Sequence, residues 1–139
     1  MESLPFTPEW ASAFQVAIEA DATYRELAAK WIWPVALVLD AAPELGYPDA
    51  VAVELALEGG RCHGAVVRHP DAVTAPFVLR APYATWKLVM RGELDPLAGV
   101  TRGKIGVKGS LATLMMHARS ASALCVCARA VPTRFPDET

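Results

Sequence analysis

The stretch AVAVELALEGGRCHG, residues 50 to 64, restricts the fold more than any other part of the chain. Val51, Val53, Leu55 and Leu57 fall on one face of an extended strand, and Glu54 and Glu58 fall on the other. That alternation is the signature of a half-buried strand. Gly59 and Gly60 follow directly, and two adjacent glycines accept the positive φ angles of a two-residue hairpin turn. The turn sets a register, with Glu58 opposite Arg61 and Leu57 opposite Cys62. A hairpin with one apolar face needs a second layer to cover that face.

Helices supply the cover. Thr7 followed by Pro8 reads as a capped helix start, and Trp10, Phe14, Ala17 and Ile18 fall on one side of the helix it opens. A second helix is predicted from Asp21, with Tyr24, Leu27, Ala28 and Trp31 at helical spacing. The period then shortens to two over Trp33, Val35, Leu37 and Leu39. Pro76 opens another short strand carrying Phe77 and Leu79. Pro82 starts a helix with Trp86 and Met90, closed by Gly92, and Asp95-Pro96 starts a helical turn. In residues 104–108 the alternation returns as a strand, Gly109 turns the chain, and Ser110 caps a helix whose face is Leu111, Leu114, Met115 and Ala118. A last helix is expected from Ala121 to Val131, before Pro132. The pattern is α+β, in a single domain over residues 1–139.

Composition narrows the function classes. The chain is 53% hydrophobic and 20% charged, within the globular range. Its formal net charge of −2 gives no whole-chain electrostatic footprint for nucleic acid. No apolar run approaches the roughly 18 residues of a membrane span, and the N-terminus lacks signal-peptide regions. Cys62, Cys125 and Cys127 are odd in number, which fits free thiols in a reducing compartment. A cytoplasmic location, with no integral membrane insertion, is the expectation.

The run GKIGVKGS, from Gly103, raises the question of a phosphate loop. A Walker loop needs GxxxxGK followed by Ser or Thr, and here Lys108 precedes Gly109. The dinucleotide fingerprint fails on spacing as well. Cys125 and Cys127 are two apart, about 200° around a helix, too divergent to share an ion. His63 shares a strand face with Arg61 and reads as solvated, His69 precedes a turn proline, and His117 sits near a helix end. No nucleophile elbow or HExxH motif is present. Asp40 and Glu54 are carboxylates available as general bases, although nothing in sequence pairs with either. The sequence therefore calls for no cofactor, no metal site and no catalytic residue, while the methionine pairing of Met115 and Met116 suits a surface that fits variable apolar shapes.

The order of residues from Tyr83 to Leu124 resembles the sterol carrier protein 2 domain, the non-specific lipid-transfer family, in a bacterial stand-alone form. The matching positions are Trp86, Gly92, Pro96, Gly103, Lys104, Ile105, Val107, Gly109, Leu111, Leu114 and Met115. The resemblance implies a five-stranded, mostly antiparallel sheet with helices over one face and an apolar cavity between sheet and C-terminal helices. It also implies a non-enzymatic function, binding or transfer of a fatty acid, acyl-CoA, phospholipid or sterol-like ligand. On that reading the ligand lies against Trp86, Met90, Ile105, Val107, Leu111, Leu114, Met115 and Leu124, and Arg91, Lys104 or Lys108 meets an anionic head group. Two alternatives remain open: an interaction or homodimerisation module using the same apolar helix face over a solid core, and an enzyme on an acyl or steroid substrate with Asp40 or Glu54 as base.

Overall fold

A computed structural model of the chain describes residues 1–138. Its centre is a five-stranded sheet in the order β3-β2-β1-β4-β5, with β1 at Val35–Leu39, β2 at Val51–Glu58, β3 at Arg61–Arg68, β4 at Phe77–Ala81 and β5 at Gly106–Lys108. The β1/β4 pair is parallel and the other three are antiparallel. The hairpin has the expected register, Glu58 opposite Arg61 and Leu57 opposite Cys62, and both turn glycines take positive φ. One step on, the register slips between Leu57 and Leu55, so that Ala56 faces His63 and Gly64 together. Such a bulge bends the strand and sharpens its twist.

The core lies on one face. Leu37 on β1 is flanked by Val53 and Leu79, and Val35 by Leu55 and Phe77, all buried. All five residues of β1 are buried, because the sheet's second face is also covered at its centre. The β3–β4 connection crosses there. Glu54 Oε2 accepts hydrogen bonds from the backbone N–H groups of Thr74 and Ala75, each at 2.8 Å, and Glu54 Oε1 accepts one from Arg68 Nε at 2.7 Å. Burial pushes the Glu54 carboxyl up, but these three donors outweigh it and leave its pKa lowered.

Helix α1, Pro8–Ala20, is capped by the Thr7 side chain and buries Trp10, Ala11, Phe14 and Ile18. It runs along the outer edge of β3, where Glu19 Oε2 accepts from the backbone N–H of Cys62 at 3.1 Å and Gln15 donates to the Cys62 carbonyl at 3.3 Å. Exposed strand edges invite pairing with other chains, and here two side chains occupy the donor and acceptor of Cys62, near the start of the edge strand. Helix α2, Ala22–Leu27, is shorter than its spacing predicts. The Trp31 carbonyl accepts from Gly59 N–H at 2.8 Å, and Pro34 forces Trp33 toward extended backbone, so the chain leaves the helix and β1 begins only at Val35. Trp31 is nevertheless buried.

Four helices complete the layer: α3 at Tyr83–Met90, α4 at Pro96–Thr101, α5 at Leu111–Met116 and α6 at Ala118–Arg129. Strand β5 is shorter than residues 104–108. The N–H groups of Lys104 and Ile105 both turn back to the Gly99 carbonyl, at 2.8 and 3.1 Å, closing α4. Helix α6 starts three residues before the expected Ala121, directly after a bend at His117 (φ −109°, ψ 33°), and ends at Arg129. That bend separates Ala118 from the α5 face.

Candidate functional site

Between the core face of the sheet and the C-terminal helices lies a cavity of about 30 Å³. Val35, Leu37, Leu57 and Leu79 form its floor; Tyr24 and Trp31 close one side; Pro96, Leu114, Ser120, Ala121, Leu124 and Cys125 form the roof. The alternation of β1 and β2 places the floor side chains, and helical spacing on α6 aligns Ser120, Ala121, Leu124 and Cys125 toward them.

The lining offers no charge. The Ser120 hydroxyl donates internally to the His117 carbonyl at 2.8 Å. Burial pushes the Cys125 thiol up to about 12 and raises the Tyr24 phenol, so both stay protonated at neutral pH. Such walls accept apolar surface and penalise an unpaired polar group. The volume matches one water molecule's share of the liquid, far below the roughly 300–1,000 Å³ of small-molecule pockets. The side chains themselves fill the space.

The thinnest wall is α5. Only Leu114 among its six residues is buried, and Leu111, Met115 and Met116 are exposed at 49%, 44% and 83%. Its ends are Gly109, at φ +117°, and the bend at His117. A Cβ on Gly109 would lie 2.6 Å from the Pro76 carbonyl oxygen, so only glycine lets β5 turn this close to β4.

Of the residues singled out in the sequence, Leu114 and Leu124 meet at the cavity. Ile105 is buried against Gly99, and Val107 is half-buried at the margin of the core. Leu111 and Met115 lie on the outer side of α5. Trp86 is buried outside the lining, with its indole N–H donating to the Val38 carbonyl at 2.9 Å and its ring 6.0 Å from Phe6. Met90 is buried beside Ala128 and Val131, under a separate surface groove. Arg91 pairs with Glu138 at 2.7 Å and with Glu93, which holds it away from the cavity, whereas Lys104 and Lys108 are exposed near α5. Sequence reasoning placed Tyr24, Trp31, Val35, Leu37, Leu57 and Leu79 on apolar faces without assigning them to a site. It missed Ser120, Ala121 and Cys125, whose only signal was their spacing around Leu124.

The two carboxylates weighed as bases are both engaged. Arg80 donates to Asp40, and Glu54 holds the three donors described above. Among the described residues no group of three or more His, Cys, Asp or Glu is placed to hold a metal ion. Among the same residues no helix is long and apolar enough to cross a membrane.

Neither a protein-family model nor a curated protein matches the chain. Solved structures do. A crystal structure of sterol carrier protein 2 is 37% identical with a TM-score of 0.87, over 91% of this chain and 98% of that one. The solution structure of TT1886, a conserved hypothetical protein of Thermus thermophilus, is 34% identical with a TM-score of 0.87, over 96% of this chain and 94% of that one. The chain belongs to the sterol carrier protein 2 family. Sterol carrier protein 2 from Yarrowia lipolytica shares the fold at 14% identity, with a TM-score of 0.57 over 85% of this chain and 88% of that one.

Proposed function

We propose that the protein is a non-enzymatic carrier that binds a fatty acyl chain or similar apolar lipid in the cavity between the sheet and α5–α6. The observation that carries this reading is an uncharged, apolar interior under a wall with one buried side chain, Leu114. Outward movement of α5 about Gly109 and His117 would join the cavity to the apolar surface of Leu111, Met115 and Met116. Each CH₂ buried there contributes about 0.8 kcal/mol, before the cost of ordering ligand and helix. Lys104 and Lys108, exposed in the segment that leads into α5, would meet an anionic head group.

Titration of delipidated protein with a fluorescent fatty acid, followed by competition with unlabelled fatty acid, acyl-CoA and sterol, tests the proposal. Saturable and displaceable binding is expected. Folded protein that binds none of them at micromolar concentration would sink it. The exposed side chains of α5 favour a second reading, an interaction surface over a solid core. A ligand-independent dimer by light scattering, abolished by Met116→Asp, would select that reading.

A further inference from the structure

The 41 residues from Pro96 to Pro136 hold six Lys and Arg and no Asp or Glu, and that acid-free stretch ends at two adjacent carboxylates, Asp137 and Glu138. The structure lays this acidic pair along one stripe of α3. Tyr83, Lys87 and Arg91 stand four residues apart, so their side chains share a face of the helix and its C-terminal cap. Asp137 accepts from the Tyr83 hydroxyl at 2.6 Å and from Lys87 Nζ at 2.8 Å. Glu138 accepts from Lys87 Nζ at 2.6 Å and from Arg91 Nη1 at 2.7 Å. Phe135 offers its ring to both cations, with Lys87 Nζ 5.5 Å and the Arg91 guanidinium 6.0 Å from the centroid.

These donors form an anion site that the chain itself fills. Two cations one turn apart on a helix repel each other, and an anion between them removes the penalty. The hydrogen bonds of the cluster raise the Lys87 pKa and lower those of Asp137 and Glu138. The occupant is nevertheless easy to displace. The Asp137 and Glu138 side chains are 40% and 45% exposed, where water screens an ion pair and leaves it worth little. Pro136–Glu138 is a single 3-10 turn with no buried residue, and the chain just before it is pinned by the Arg134 N–H on the Ser3 carbonyl at 2.9 Å. Release of the turn therefore leaves the core closed. Beside the stripe, Arg91 and Arg129 line a groove of about 340 Å³ with Met90, Val131 and Phe135 among its walls. Arg129 enters no ion pair among the described residues, so the groove holds a cation that the resident carboxylates leave unused.

We infer that this face of α3 and the adjoining groove bind an acidic peptide segment of a partner protein, which displaces the chain's own Phe135–Glu138. The resident segment displays the chemistry selected, an aromatic residue followed two and three positions on by carboxylates. Two anionic groups are needed, because Tyr83 and Arg91 are separated by about 12 Å of helix rise and one carboxylate or phosphate group reaches only part of the stripe. The claim is separate from the cavity, with which the groove shares no lining residue.

Fluorescence anisotropy with a labelled peptide carrying Phe-Pro-Asp-Glu tests it, on the parent protein and on the Asp137→Asn, Glu138→Gln variant. A short tether holds the resident carboxylates at an effective concentration on the order of millimolar, so neutralising them is expected to tighten peptide binding roughly tenfold. A control peptide carrying Phe-Pro-Asn-Gln is expected not to bind, and added salt is expected to weaken the acidic peptide. Lys87→Gln with Arg91→Gln, added to the neutralised variant, is expected to abolish binding. Circular dichroism checks folding, and if that last variant does not fold, the control peptide and the salt series still decide. Absence of binding by the folded, neutralised variant, or equal binding of the control peptide, overturns the proposal. So does tighter binding of inorganic pyrophosphate than of the peptide, which would make the site one for a small phosphate. A dimer of the parent protein by light scattering that Lys87→Gln with Arg91→Gln dissolves overturns it too, since the occupant would then come from a second copy.

Discussion

The two edges of the sheet are built in opposite ways. At the β3 edge an eight-residue strand is covered by α1, and Glu19 and Gln15 take the free N–H and carbonyl of Cys62. The hairpin turn is fixed too, because Gly60 abuts the Arg25 backbone and Gly59 N–H bonds to the Trp31 carbonyl. At the β5 edge the strand has three residues, begins with a glycine and is followed by another, and runs into a six-residue helix with one buried side chain. The contrast assigns a division of labour within one sheet. One edge holds the frame, and the other leads into α5, whose Leu114 lines the cavity.

The largest expected effect is at the fixed edge. Gly60→Ala puts a Cβ into the Arg25 backbone and holds alanine at φ +83°. The strained backbone and the collision together should cost about 4 kcal/mol, near the top of the range for single substitutions. Urea unfolding measures it; a loss of under about 1 kcal/mol would mean that the turn and α2 separate easily, and the contrast between the edges would fail.

Next come the two leucines that meet in the cavity. Leu124 stands on the twelve-residue α6 and Leu114 on the six-residue α5. Leu124→Ala should cost about 3 kcal/mol, since a long helix collapses poorly into a void, and Leu114→Ala about 2 kcal/mol, since α5 can shift inward. Leu114→Ala should also speed fatty-acid exchange in a stopped-flow assay more than Leu124→Ala. Equal costs and equal exchange rates would remove the distinction between frame and cover.

Acid sensitivity sharpens the comparison from the other side. The side-chain hydrogen bonds from Arg61 and the backbone N–H of Cys62 hold the Glu19 carboxyl down at about 2, against an ordinary 4.5. A lowered carboxyl pKa stabilises the fold above the unfolded value, and that contribution drains away as pH falls from about 4.5 toward 2. Glu19→Gln retains an acceptor for Cys62 N–H and loses the titration, so its stability should vary less across that window than the parent's. Chemical denaturation at several pH values between these limits reads the slope. An unchanged slope would place the acid sensitivity in other carboxylates, such as Glu54, whose pKa is also lowered.

Much of the frame was legible in the sequence, because local chemistry determines it. The hairpin register follows from alternation and two glycines, the α1 start from Thr7-Pro8, and the α5 start from Ser110. What stayed hidden depends on partners distant in sequence. Nothing near Glu19 indicates that it will bond Cys62 and Arg61 across 40 or more residues, and Arg61 prefers it to the cross-strand Glu58. The end of α2 was lost similarly, to the Trp31 carbonyl that takes the Gly59 N–H, whereas β5 was shortened locally, by the Gly99 carbonyl that takes the N–H groups of Lys104 and Ile105. The cavity was half legible: a period-two pattern gives the floor, but Trp86 sits equally well on an apolar helix face and is drawn to the Val38 carbonyl. The acid-free stretch is plain in the residues, yet a net charge of −2 averages it away.

The smallest stability effect should accompany a large effect on binding, and that pairing is the sharpest test of the open edge. Met115 is 44% exposed on α5, so Met115→Arg can keep its guanidinium in water while its stem lies along the helix. Unfolding free energy should move by no more than about 0.5 kcal/mol, as for other exposed positions. If α5 swings outward to admit an acyl chain, the same charge would sit against the ligand's path, where desolvating it is costly. Fatty-acid affinity should then fall at least tenfold with the melting temperature nearly unchanged. A variant that unfolds would mean that Met115 closes the core in solution. One that binds as well as the parent would send the ligand past another wall, and the comparison between the two edges would no longer bear on function.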